Sequence, residues 1–259
     1  MEAKIVTAYV PISGHPRTAR EYGDLGENLF SKVQGNFSIH PFYERVQDTW
    51  LMKEIKKLPF SPTHSVSDNP HKNSLAYHCV QHQKIAWLLK AAILDPKPTV
   101  FVWMDYGIGY LPGVTPDIVN EFMANVQEHD FAIPGCWERG QYVNNDFFPC
   151  WRFCGSLMVV PKDKLHKVYK GLKTATLRQI NKTGNVTWEV NDYARAEPNW
   201  PPCRWYKADH NETMFTHYRK DLSWIAPQSP SSAPSAESTA PTKDQPPMDG
   251  DIALTTLNS

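Results

Sequence analysis

The chain has 259 residues, with 27 basic and 27 acidic side chains that cancel to no formal net charge, and it carries five cysteines. That balance, with no long basic stripe, excludes the electrostatic footprint of a nucleic-acid binder, and no apolar run approaches the length of a membrane span. The length suits one α/β domain over residues 1–225 with a Pro/Ser-rich tail over 226–259.

Met1-Glu2-Ala3-Lys4 runs straight into Ile5 to Val10, a start too short and too polar-flanked for a signal peptide. It predicts a first strand over 4–10 that breaks at Pro11, Gly14 and Pro16, and a cytoplasmic protein in which the sequons at Asn36, Asn181, Asn185 and Asn211 stay unused. A helix is expected from about Thr18 to Lys32 and a second strand over Phe37 to Phe42. Asp48 to Lys57 predicts an amphipathic helix with Asp48 as its N-cap and Trp50, Leu51 and Ile55 facing inward. The polar stretch 59–73 has room for a short strand at His64-Ser65-Val66. Ser74 to Leu94 carries the strongest helical pattern, in which Leu75, Cys79, Ile85, Leu88, Leu89 and Ala92 trace one apolar face before Asp95-Pro96 stops it.

Val100 to Met104 is continuously apolar and rich in β-branched and aromatic side chains, the pattern of a strand buried on both faces of a parallel sheet. Strand, helix, strand at this spacing predicts right-handed crossovers and a parallel sheet. A Gly/Pro loop over 107–113 leads to a helix over 116–127 and a strand at Phe131 to Pro134. An aromatic and asparagine-rich loop, Gln141 to Trp151, precedes a strand over Gly155 to Pro161, a helix from Lys162 to about Asn181 and another over Thr187 to Ala196. Arg204 to Phe215 reads as irregular. From Gln228 onward Ser, Pro, Ala and Thr dominate, a composition that cannot bury enough apolar surface to offset its ordering entropy.

An odd number of cysteines without an export signal points to free thiols. Cys150 and Cys154 stand four apart and Cys136 and Cys203 are isolated, which matches no zinc-ligand spacing.

Chemistry concentrates at Thr99 to Gly109. Its apolar run delivers Asp105 at the carboxyl end of a strand, where open α/β sheets bind ligands. The plainer reading is an acid that turns the chain before Pro112.

Four landmarks occur in a telling order: Ile5-Val6-Thr7-Ala8-Tyr9; the helix bearing Lys84 ahead of Val102-Trp103-Met104-Asp105-Tyr106-Gly107; Trp151-Arg152-Phe153-Cys154-Gly155-Ser156; and Trp188-Glu189 with Ala208-Asp209-His210-Asn211. Over about residues 4–218 the chain resembles the nucleotide-sugar-dependent glycosyltransferases of the GT-A fold, most closely the HtrL/YibB-type family. The resemblance implies an α/β fold with a GT-A-like (Rossmann-like), mostly parallel central sheet flanked by helices. It also implies transfer of a sugar from a nucleoside-diphosphate sugar to a glycan or other hydroxyl acceptor. One departure stands out: the usual Asp-X-Asp is Asp105-Tyr106-Gly107, with only the first acid. Either one carboxylate suffices beside another ligand, or metal use differs from the fold's norm.

The charge that develops on a leaving diphosphate needs a divalent ion or fixed cationic donors, and Mg²⁺ or Mn²⁺ prefers oxygen ligands. Asp105 offers one. The resemblance places His210 in a late loop that contributes a nitrogen, which favours Mn²⁺ over Mg²⁺, while Asp209 is either the ligand instead or the carboxylate that orients the ring. Against this stands the reading of His210 as a surface histidine in a polar run.

On the donor side the resemblance implies Thr7, Ala8 and Tyr9 at the end of the first strand, with Lys84, Trp103, Asp105 and Tyr106. Tyr9 either stacks on the base or fills the core, and Lys84 otherwise reaches out to water from its apolar-faced helix. Arg17 and Arg20 either reach phosphate or form a solvated helix start. On the acceptor side stand Gly155, where the backbone can approach a sugar closely, Ser156, Trp188 and Asn191, with Trp137, Tyr142, Phe147, Phe148 and Trp151 as stacking platforms or packing. Glu189 is the candidate general base of an inverting transfer; a retaining one would use Glu189, Asn191 or Asp192 to stabilise an oxocarbenium-like state. Its plain alternative is a glutamate placed near a helix dipole. The competing functional reading is a non-catalytic nucleotide- or carbohydrate-binding protein of the same fold.

Overall fold

The computed structural model describes residues 1–13, 19–139, 141, 146 and 148–218. The expected tail over 226–259 lies outside the described residues.

β1 (Ala3–Tyr9), β2 (Phe37–Tyr43), β4 (Val100–Met104), β5 (Ala132–Gly135), β6 (Leu157–Pro161) and β8 (Arg204–Lys207) form one sheet in the order β2-β1-β4-β6-β5-β8. β1 pairs in parallel with β2 and β4, and β5 with β8, while β6 runs antiparallel to both of its neighbours. The α/β class with a mostly parallel, helix-flanked sheet is therefore as expected, and the one correction is β6. The sequence signal for that correction was the loop expected over Gln141 to Trp151 ahead of β6, since a parallel return needs a crossover of a dozen or more residues that is usually helical.

Alternation along the central strands divides the core into two layers. Ile5, Val102, Met104, Leu157 and Val159 enter one layer with α1 (Ala19–Phe30) and α5 (Pro116–Asn125). Val6, Phe101, Trp103, Met158 and Val160 enter the other, under α4 (Lys84–Leu94), α6 (Lys162–Thr183) and α7 (Glu189–Ala196). Apolar side chains on both faces are why Val100 to Met104 reads as an unbroken apolar run, with every member buried.

Three local expectations are corrected. α2 (Trp50–Ile55) is capped at Thr49, and Asp48 instead accepts from Arg45 Nε at 2.9 Å. The first N–H of α2, that of Trp50, goes to Gln83 Oε1 at 2.8 Å, and Trp50 Nε1 donates to the His82 carbonyl at 2.9 Å. Those same bonds account for the second correction: the long helix is split into α3 (Leu75–Gln81) and α4, because residues 82 and 83 turn their polar groups to Trp50. Residues 204–215 are not irregular but hold β8 and the short helix α8 (Thr213–Thr216). Arg204 can sit buried in a strand because Asp130 pairs with its guanidinium, with Arg204 Nε at 3.1 Å from Asp130 Oδ1. β3 (Thr63–His64) forms a separate parallel pair with β7 (Asn185–Val186). Among the described residues, no helix is long and apolar enough to cross a membrane.

Candidate active site

β1 and β4 end side by side, and two cavities open beyond them. The first, about 290 Å³, is walled by Ala8, Tyr9, Trp87, Trp103 and Tyr106. Tyr9 is not core filling: its ring lies 5.6 Å from Tyr22 and 6.0 Å from Tyr106, on the cavity wall. Trp87 and Trp103 stack at 5.5 Å with planes 11° apart. The second cavity, about 620 Å³, is more polar and includes Asn69, Lys72, Trp151, Ser156, Trp188 and His210. Both share Tyr22, Tyr77, Gln81, Lys84 and Asp105, so they adjoin along one seam.

Three charged groups meet at that seam. Asp105 follows β4 directly; its N–H donates to the Ser156 carbonyl at 3.0 Å, and Trp103 Nε1, two residues back on the same strand face, donates to Asp105 Oδ1 at 2.8 Å. Lys84 opens α4 and Glu189 opens α7. Lys84 Nζ lies 3.2 Å from Asp105 Oδ1, 3.2 Å from Glu189 Oε1 and 3.0 Å from the Gly155 carbonyl. Three acceptors match the three N–H donors of an ammonium. Gly155 permits the approach, since a Cβ there would stand 2.5 Å from Glu189 Oε1 and 3.3 Å from Lys84 Nζ.

Burial pulls the Lys84 ammonium down, but the charges of Asp105 and Glu189 outweigh it and hold its pKa above the usual lysine value. Burial likewise pushes Glu189 up, and the opposing charge of Lys84 with its hydrogen bond leaves it below the ordinary glutamate value. Glu189 is thus ionised across the neutral range, a state that accepts a proton or stabilises positive charge and cannot act as an acid. Asp105 is the most open of the three, with its side chain 29% exposed against 4% for Lys84 and 9% for Glu189.

Several expected site residues are elsewhere. Asp192, one turn beyond Glu189, is sealed: His82 Nε2 lies 3.0 Å from its Oδ2 and Arg195 Nη1 2.7 Å from its Oδ1, and it does not line either cavity. Its pKa is also below the ordinary aspartate value, because these two partners outweigh the burial that would raise it. Asn191 is a latch, accepting from the Cys150 N–H at 2.6 Å and donating to the Phe148 carbonyl at 3.0 Å. Thr7 is buried away from the cavities, and its hydroxyl has no partner among the described residues. Arg17, Tyr142 and Phe147 lie outside the described residues, and of the remaining loop aromatics Trp151 reaches a cavity wall whereas Trp137 and Phe148 do not.

Tyr77 and Gln81 escaped the sequence reading. With Lys84 they form an i, i+4, i+7 row along α3–α4 that runs beside Ile85 and Leu88, a spacing visible in the sequence.

His210 lines the second cavity with Asp105 and has a pair of thiols at its Nδ1 side. Its Nδ1 lies 3.7 Å from Cys136 Sγ, which is itself 3.7 Å from Cys154 Sγ, and its ring meets Trp151 edge-on at 4.5 Å. The hydrogen bond with Cys154, followed by that with His210, draws the Cys136 thiol down to about 6, while Cys154 is pushed well above the usual thiol range. Asp105 belongs to no converging group of three or more His, Cys, Asp or Glu side chains among the described residues. What it offers a hard cation is one partly open carboxylate whose protein contacts both fall on Oδ1, a set that fits Mg²⁺ or Mn²⁺ when substrate phosphates and water supply the remaining oxygens.

No family model and no curated protein matches the chain. Among solved structures it is similar to a glycosyltransferase involved in the glycosylation of the major capsid of PBCV-1, at 16% identity over 80% of this chain and 81% of that one, TM-score 0.45. It is also similar to mouse xyloside xylosyltransferase 1 in its apo form, at 8% identity over 81% of this chain and 86% of that one, TM-score 0.43. Both are glycosyltransferases. The reading of the site rests on its own side chains.

Proposed function

We propose that the protein is a glycosyltransferase of GT-A type that moves a sugar from a nucleoside-diphosphate sugar to a hydroxyl acceptor such as a glycan, and the order of its sequence landmarks supports an HtrL/YibB-type member. The observation that carries this reading is the seam: an aromatic slot and a wider polar chamber meet at Lys84, Asp105 and Glu189. The slot suits a base stacked among Tyr9, Tyr106 and Trp103, and the chamber, with Trp151 and Trp188 in its wall, suits sugar rings.

The charges define what each group does. Lys84 has its three donors engaged, so it fixes the two carboxylates rather than gripping a phosphate. One ammonium and two carboxylates leave the seam with a net negative charge, unfavourable for a diphosphate on its own. Asp105 with the substrate's phosphate oxygens would hold Mn²⁺ or Mg²⁺, and such an ion, when bound, offsets the charge building on the departing diphosphate. Glu189, ionised and buried on the chamber wall, takes the proton of the acceptor hydroxyl.

A second reading, a non-catalytic nucleotide- or carbohydrate-binding protein, is favoured by Gly107 in place of the second acid. One experiment separates them. Purified protein is melted against a panel of nucleoside diphosphates and nucleotide sugars with and without Mn²⁺, and sugar release is assayed in parallel. Transfer predicts one nucleotide that raises the melting point by stabilising the fold, by about 2.7 kcal/mol at a hundredfold excess over Kd, together with release of its sugar. A shift without any release establishes the binding protein, and no shift with any nucleotide overturns both.

A further inference from the structure

We propose that Cys136, Cys154 and His210 form a binding site for one thiophilic metal ion, Zn²⁺ in the resting protein. Their ligand atoms all lie within 4.8 Å of one another. A tetrahedral zinc with bonds of about 2.3 Å to sulfur and 2.0–2.1 Å to nitrogen sets its ligands roughly 3.8 Å apart for two sulfurs and roughly 3.6 Å for sulfur and nitrogen. The chain holds Cys136 Sγ and Cys154 Sγ at 3.7 Å, and Cys136 Sγ and His210 Nδ1 at 3.7 Å. Two thiolates and an imidazole are a soft donor set that selects zinc over Mn²⁺ or Mg²⁺.

The ligands are held by the sheet rather than by a local motif, which is why sequence spacing hid them. Cys136 leaves β5 and Cys154 approaches β6, tied by the Cys154 N–H to the Pro134 carbonyl at 2.7 Å and the Cys136 N–H to the Trp151 carbonyl at 2.9 Å. His210 follows β8, whose register against β5 is extended by the Ala208 N–H to the Gly135 carbonyl at 2.9 Å. Trp151 fixes the ring edge-on, and Asp209 Oδ1, 3.8 Å from Cys136 Sγ, accepts the His210 backbone N–H at 2.8 Å. Cys154 is buried, whereas Cys136 and His210 are half-buried, so an ion has an entry path. His210 also lines the polar chamber, so the ion borders that chamber. The inference does not depend on glycosyl transfer.

The test is Co²⁺ titration of the full-length, metal-stripped protein, read by the thiolate-to-cobalt charge-transfer absorption that only cysteine ligation produces. The expected result is saturation at one equivalent per chain, reversal by Zn²⁺, a weaker band in Cys136→Ser and none in Cys136→Ser/Cys154→Ser, and retention in Cys150→Ser and Cys203→Ser. Wild-type protein gives a second, mutation-free readout: Zn²⁺ protects Cys136 from alkylation and a chelator exposes it. Absence of the band at excess Co²⁺, or a band that survives Cys136→Ser/Cys154→Ser, overturns the site, as does alkylation of Cys136 that ignores Zn²⁺.

Discussion

Two charged networks share α7 and end in opposite conditions. At the seam, Lys84 bridges Asp105 and Glu189 in the wall of two cavities; one helical turn away, Asp192 is locked between His82 and Arg195 with its side chain 1% exposed. Both carboxylates of α7 lie in its first turn, both have lowered pKa values, and both are paired. Access alone separates them: Glu189 faces the chamber and Asp192 faces packed protein. A paired, pKa-shifted acid is therefore not by itself a mark of chemistry.

The strongest way to break this comparison is at its shared cation. Lys84→Met leaves the buried Glu189 and the partly open Asp105 without their cation and is expected to cost about 3–5 kcal/mol in denaturant unfolding, with Lys84→Met/Glu189→Gln recovering part of it. An unchanged midpoint in the single variant would show that the trio is not ion-paired.

Acid tests the residue between the networks. His78, buried on α3, bonds the Ser65 carbonyl through Nε2 at 2.9 Å, and burial lowers its pKa from 6.5 to about 4. Because the folded pKa is the lower one, the neutral ring contributes stability above pH 6.5 that is lost as the pH falls from 6.5 through 4. The loss is about 3 kcal/mol in all, near 1.4 kcal/mol per unit. Melting wild type and His78→Asn across that window should show the slope flattened in the variant.

A smaller and sharper contrast compares the two acids directly. Asp192→Asn should lower stability by about 2 kcal/mol by weakening two charge-assisted bonds, with transfer unchanged at a permissive temperature. Glu189→Gln should lower the transfer rate by roughly a hundredfold or more. Equal rates in the two variants would erase the distinction drawn from access. Smallest of all, Asp105→Asn should change the stability by less than about 1 kcal/mol, as its ion pair is partly exposed, while abolishing any Mn²⁺-dependent shift in melting point with nucleotide.

The sequence showed the strand that ends in Asp105 because a doubly buried strand must be apolar throughout, and it showed the helices because their apolar faces repeat. What it concealed was decided by distant partners. The break at 82–83 depends on Trp50, the burial of Arg204 on Asp130, and the sealing of Asp192 on His82. The cysteine–histidine corner joins residues 18 and 74 positions apart through strand order, which no local spacing encodes. The row Tyr77, Gln81, Lys84 was legible in principle from its i, i+4, i+7 spacing, beside the apolar positions Ile85 and Leu88.

The stacked Trp87 and Trp103, 5.5 Å apart and both in the slot wall, also make the protein its own optical reporter. Indoles this close share their excited states, and an aromatic guest settling against them alters both the near-ultraviolet dichroism and the emission of the pair. Occupancy of the slot can thus be followed in unlabelled protein, and Trp87→Phe would silence the signal while leaving the other tryptophans as an internal baseline.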